Sequence, residues 1–176
     1  MLRELTESKT YLEDLLGEPV TAFCYPEGKF TPRQIPLVQQ AGYKLARTTM
    51  GFRTGIDFEP HLMPVSMQFW RHPRHILLRH ELMQQNFRGA LDWLRLWGAE
   101  KDLTALAQAM LGHIGNVGGM FHIWGHSWEI EAGGLWTELE DTLKLISDFT
   151  SVVCSTNSEV PEAPMPYVTM QCLTHA

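Results

Sequence analysis

Two short runs of apolar, aromatic and β-branched residues, 20–25 and 43–49, each follow a stretch with helical spacing, and this α, β, α, β order is what most narrows the folds open to the chain. Strands separated by helices cannot pair through a tight hairpin, so they read as neighbours in a parallel sheet. The first helix is expected over residues 2–16, with Leu2, Leu5, Leu12, Leu15 and Leu16 on one buried stripe, Gly17 at the left-handed cap and Pro19 blocking continuation. Pro26-Glu27-Gly28 closes the first strand. The second helix takes Thr31 as its cap, Pro32 at its first position and Gly42 at its end.

From residue 50 to 75 the pattern lapses, with Pro60, Pro64 and Pro73 leaving room for one short strand near 63–69. Helical spacing returns over 75–87, 89–97 and 102–114, the last with Asp102 as N-cap and Leu103, Leu106, Met110 and Ile114 on one side. This block reads as a helical insertion before a late strand. That strand is Gly118-Gly119-Met120-Phe121-His122-Ile123-Trp124, which runs through Gly125 into a loop at His126-Ser127-Trp128-Glu129. A helix with Trp136, Leu139, Leu143 and Ile146 on its buried stripe follows, then a β-branched strand over 150–156. Residues 1–156 thus form the body. The segment 157–176, with Pro161, Pro164 and Pro166, is expected to be a loosely held tail.

With 176 residues and 44% hydrophobic content, the chain can bury a core without covalent staples. Cys24, Cys154 and Cys172 are odd in number and lack paired short spacing, which argues for reduced thiols rather than a disulfide framework or a cysteine zinc site. A net charge of -6, with no long basic run, argues against a nucleic-acid partner. The N-terminus is charged and amphipathic, unlike a signal peptide, and no stretch is long and apolar enough to span a bilayer, so a cytoplasmic location and no membrane partner are expected.

In parallel α/β folds, ligands collect at the carboxyl ends of strands. That rule selects Tyr25 and Pro26 after the first strand, Arg47 at the second, and Trp124, His126, Trp128 and Glu129 at the late one. His126 lies beside a glycine-marked exit, where an imidazole donates a proton near neutral pH and Glu129 is placed to orient it. His122 reads as a satisfied core histidine. His72 and His75, interleaved with Arg71 and Arg74, read as a solvated basic patch, because neighbouring cations resist a further cation. Trp93 and Trp97, four apart, read as a packing face, whereas Trp124 and Trp128 have the better claim to ligand contact.

The run Phe23-Cys24-Tyr25-Pro26-Glu27-Gly28-Lys29-Phe30, followed by Ala41-Gly42-Tyr43 and Ala46-Arg47-Thr48-Thr49, resembles the early strands of polysaccharide deacetylases, the metal-dependent carbohydrate de-N-acetylases. Phe121-His122-Ile123-Trp124-Gly125-His126-Ser127-Trp128-Glu129 resembles their late strand motif, and the helix bearing Leu12-Glu13-Asp14-Leu15-Leu16-Gly17 resembles the one before the YP strand. Together these runs cover most of residues 7–150. The resemblance implies a partial (β/α) barrel, with His126 as the general acid. Cys24 stands where the family often carries arginine. The family's paired-aspartate strand and its H-x3-H pair have no counterpart here, as though the N-terminal metal-binding part lay elsewhere, so neither a metal ligand nor a cofactor is expected in this chain. Amide hydrolysis also needs a polarised carbonyl and an activated water, which a bound zinc-like ion supplies better than side chains. The chain is therefore expected to show little or no deacetylase activity. Two other readings stand beside this one: a non-catalytic carbohydrate-binding or scaffold protein whose groove is lined by Tyr25, Trp124, Trp128 and His126, and a chain that closes its barrel by association with itself or a complementing chain.

Overall fold

The computed structural model describes residues 1–149, 152–160 and 168–170. It divides into two compact units, Met1–Thr49 with Asp57–Pro64, and Met50–Ile56 with Val65–Ala176.

The first unit follows the expected order. Helix α1 spans Leu2–Leu16 and ends on Gly17 at φ 72, whose N–H donates to Glu13 O. Strand β1 (Ala22–Cys24) leads through a tight turn at Pro26–Gly28 to α2 (Ile35–Gln40) and β2 (Leu45–Arg47). The strands pair in parallel, Ala22 with Leu45 through Cys24 with Arg47. Both are shorter than expected, as three-residue ladders suffice where Tyr25, Val38, Tyr43 and Ala46 close the core around them. Thr31 does not cap α2. Its N–H donates to Gln34 Oε1 at 2.6 Å, and the helix begins late, with Pro36 in its first turn, where a missing N–H costs nothing. The buried stripe of α1 reduces to Leu5, because Leu12, Leu15 and Leu16 are exposed.

The second unit holds β3 (Met67–Gln68), α3 (Arg74–Met83), α4 (Phe87–Arg95), α5 (Leu103–Val117), β4 (Gly119–Phe121), β5 (Ile123–Trp124), α6 (Ser127–Gly133), α7 (Trp136–Ser147), β6 (Val152–Cys154) and β7 (Val168–Met170). Strands β3 and β5 pair in parallel, and β7 lies between β4 and β6, again in parallel. Three small parallel sheets result, and no closed barrel forms among the described residues. Strand β7 falls within the segment 157–176, most of which lies outside the described residues. None of the described helices is long and apolar enough to cross a membrane.

Asp102 caps α5 as its position suggests, its carboxylate accepting Ala105 N–H at 2.8 Å, and Leu103, Leu106, Met110 and Ile114 are buried. Trp93 and Trp97 are core residues: Trp93 stacks on Phe52 at 5.5 Å, and Trp97 Nε1 donates to Phe52 O at 3.2 Å. The stripe expected on α7 is rotated. Thr142 and Ile146 are buried, while Trp136 and Leu143 face outward, since Thr142 Oγ1 meets Thr104 Oγ1 on α5 at 3.0 Å and turns that face inward.

The corner between α3 and α4 is tied to the 50–56 segment through a buried carboxylate. Glu81 is 5% exposed, and its oxygens accept Gly51 N–H at 3.2 and 3.3 Å together with the Asn86 amide. Asn86 Nδ2 also donates to Gly51 O at 2.9 Å, and Asn86 Oδ1 accepts Gly89 N–H at 3.0 Å. A methyl on Gly89 would come within 2.4 Å of Gly51 O, so only glycine allows this approach. Burial pushes the Glu81 carboxyl up to about 7, against the downward pull of the Asn86 and Gly51 hydrogen bonds. The unfolded chain loses this proton near 4.5 and the folded chain near 7, so the stability associated with Glu81 is greatest below 4.5 and falls as pH rises through that window. The gap corresponds to about 3 kcal/mol. Urea unfolding from about pH 5 to about pH 8 should therefore show a decline of roughly 2–3 kcal/mol in the native protein that Glu81→Gln lacks. Parallel pH profiles for the two proteins would contradict it.

Candidate functional site

The parallel register aligns Gln68 with Trp124, and Phe69 N–H donates to Trp124 O at 2.7 Å, so β3 and β5 end side by side. Past Gly125 the chain turns into α6, a helix where the sequence suggested a loop. His126 is its N-cap residue, with extended backbone at φ -104 and ψ 129 and no hydrogen bond from its side chain to the helix. The His126 carbonyl instead accepts the N–H groups of Glu129 and Ile130, both at 3.0 Å. The imidazole is consequently left to the aromatic rings around it. It stacks on Trp128 with centroids 4.0 Å apart and planes inclined by 17°, and meets Trp124 edge-on at 5.3 Å and 88°. Trp128 remains 65% exposed. Trp124 Nε1 is buried and has no acceptor among the described residues, an uncompensated donor costing roughly 1–3 kcal/mol unless a ligand or water meets it.

Glu129 is in the first turn of α6, where a carboxylate is favoured by the helix dipole. Its Oε2 accepts Gln68 Nε2 at 3.3 Å, so its side-chain bond goes to β3 and not to the His126 ring. Gln68 Oε1 in turn lies 3.1 Å from His72 Nε2, and the His72 ring meets that of His80 at 5.6 Å. Because Oε1 can only accept, His72 carries its proton on Nε2 in this arrangement. Burial, reinforced by His80, pulls the His72 pKa down, and Glu129 opposes the shift.

Sequence reading missed Gln68 and set His72 aside as part of a solvated patch. That description fits Arg71, Arg74 and His75, which are exposed, but His72 is half-buried in a polar chain. The residues involved are separated by up to 61 positions, so no local spacing announces them. Parallel pairing of the two strands was the one available signal.

His122 is buried, 2% exposed, and its backbone N–H donates to Ser66 Oγ at 3.0 Å. It and His126 therefore occupy different surroundings, core and aromatic stack. Among the described residues no group of three or more His, Cys, Asp or Glu is placed to hold a metal ion.

In the first unit, Tyr25 is 2% exposed, packs edge-on against Phe23 at 5.4 Å and tilted against Phe30 at 5.1 Å, and donates from its hydroxyl to His61 O at 3.2 Å. Burial raises its phenol pKa. Pro26 opens the exposed turn after β1, in which Glu27 is held at φ 54 and paired with Lys29, while a methyl on Gly28 would approach Thr49 Oγ1 to 2.1 Å. Arg47 ends β2, 5% exposed, with Nη1 donating to Pro64 O at 2.7 Å, and burial draws its pKa down to about 9.

Compared with protein-family models, with curated proteins and with solved structures, the chain matches none.

The His72 arrangement can be checked by NMR titration. His72 should titrate below the ordinary histidine value of 6.5, and His80→Gln should raise its midpoint by removing a like charge while leaving the burial contribution in place. A midpoint at or above 6.5 in the native protein would sink this description.

Proposed function

We propose that this chain is a polysaccharide-deacetylase-like α/β protein, a partial barrel by descent, that binds an N-acetylated carbohydrate at the carboxyl end of β3 and β5 and in isolation releases little or no acetate. The observation that carries this reading is the His126 ring stacked on Trp128, with that indole 65% exposed. A sugar ring offers a face of C–H groups that suits an indole, and an indole already held by its neighbours loses little freedom on binding. The Trp124 ring, edge-on to His126 at 5.3 Å, backs the imidazole on its other side.

In the hydrolytic chemistry of the resemblance, His126 is the proton donor to the departing nitrogen. Its position at the helix N-cap, with no bond to the helix, leaves its ring nitrogens available for that transfer. Glu129, anchored by Gln68, lies in the same helical turn. Polarising the carbonyl and activating water are left without a residue in this set, which is why weak or absent turnover goes with the proposal. The exposed free thiols of Cys24 and Cys154 favour a reducing, cytoplasmic setting.

A non-catalytic carbohydrate-binding role is the second reading, favoured by the same exposed indole. Titration calorimetry with an N-acetylglucosamine oligomer should give binding that survives a chelator, and Trp128→Ala should weaken it by about tenfold, or about 1.4 kcal/mol, without loss of thermal stability. Acetate release with added zinc or cobalt should stay at background. Turnover abolished by His126→Ala would overturn the weak-activity claim, and absence of oligomer binding would overturn the carbohydrate assignment.

A further inference from the structure

Helices α3 and α4 form a hairpin whose outer surface is apolar and basic together. At its corner Leu82, Met83 and Phe87 are 46%, 69% and 60% exposed. Phe87 continues along α4 into Leu91 and Leu94, at positions i, i+4 and i+7, which are 46% and 50% exposed. The opposite face of the same helix is already buried through Gly89, Ala90 and Trp93. A soluble helix of this length ordinarily carries one apolar stripe, so the second one is surplus to packing within the fold.

Charge singles out the same hairpin. Four of the fourteen Lys and Arg residues but only two of the twenty Asp and Glu fall between residues 74 and 95, giving the hairpin a formal +2 while the remainder of the chain carries -8. Of the two acids, Glu81 is buried beneath the corner and does not reach the surface. Arg79 sits three and four residues before Leu82 and Met83, and Arg95 four after Leu91, so cations flank the exposed apolar side chains on their own helical faces. Arg71 is engaged with Glu138, and the Arg74 Nε bond to Ala99 O leaves its charge in place.

We infer that the α3–α4 hairpin is a docking surface for an anionic phospholipid bilayer. Exposed Leu, Met and Phe flanked by arginine is the composition that seats a helix at the headgroup boundary, where apolar side chains leave water and cations meet lipid phosphates. A second copy of this chain would bring the same excess of positive charge against itself, which costs energy across a symmetric contact. The corner is held by the Glu81, Asn86, Gly51 and Gly89 bonds, so little ordering is required on contact. This is attachment to one leaflet, distinct from the spanning mode whose absence led the sequence to be read as having no membrane partner.

Flotation of the full chain with vesicles of equal parts phosphatidylcholine and phosphatidylglycerol tests it. Binding should exceed that to pure phosphatidylcholine vesicles by about tenfold, weaken as salt rises, and fall about tenfold in Met83→Asp/Phe87→Asp. Arg79→Glu/Arg95→Glu should lower it as well, which keeps the test open if the apolar variant does not fold. Equal binding to the two vesicle types, no binding to either, or light scattering that shows a dimer dispersed by Met83→Asp/Phe87→Asp without vesicle binding would each overturn the inference.

Discussion

A single buried hydroxyl organises the end of the molecule where the candidate site lies. Ser66 is fully buried; its Oγ sits 3.0 Å from Arg53 O and 3.2 Å from Met120 O and accepts His122 N–H at 3.0 Å. The backbone continues the junction, with Ser66 and Met67 N–H both donating to His122 O. Three segments distant in sequence thereby share one register: the 50–56 connection, the start of β3, and the passage from β4 to β5. The pairing of Gln68 with Trp124 follows from that register. A slip of one residue would turn the side chains of β3 to the opposite face and break the Gln68 bridge to Glu129.

With the strand ends held together, the local chemistry follows from which groups find partners and which do not. Glu129 is held by Gln68, and Gln68 by His72, so the polar side of the cluster is satisfied internally. His126, by contrast, makes aromatic contacts, and the Trp124 N–H beside it has no acceptor among the described residues. Satisfied polar groups fix geometry, and here they hold the strand ends on which the His126 and Trp128 rings stack. The Glu81 cluster plays the same part at the α3–α4 corner, where burial pushes the carboxyl up to about 7.

Much of this was readable from local chemistry. Gly17 after α1 and Asp102 before α5 perform the capping roles their residue types favour, and β1 and β2 pair in parallel as helix-separated strands should. What was not readable depends on partners far along the chain. Leucines 12, 15 and 16 repeat at helical spacing, yet periodicity does not reveal that the neighbour packed on α1 covers little beyond Leu5. Helix α6 gives little notice of itself in the sequence, since a histidine N-cap is a weak start signal. Gln68 and His72 gain meaning from the β3–β5 pairing alone. Tyr25 and Arg47 were selected for their places at strand ends, and the structure gives both low exposure, a depth that a strand-end rule does not register.

We propose that the carboxyl end of β3 and β5 is a carbohydrate surface organised around the stacked His126 and Trp128 rings. Chemical-shift mapping with an N-acetylglucosamine oligomer addresses it directly, since ring-current changes report on the two side chains at once. The Trp128 and Trp124 indole N–H signals and the His126 ring protons should shift together along one saturation curve, while the buried indole of Trp93 does not respond. Perturbations that miss all three of those residues, or that centre on another part of the chain, would contradict it.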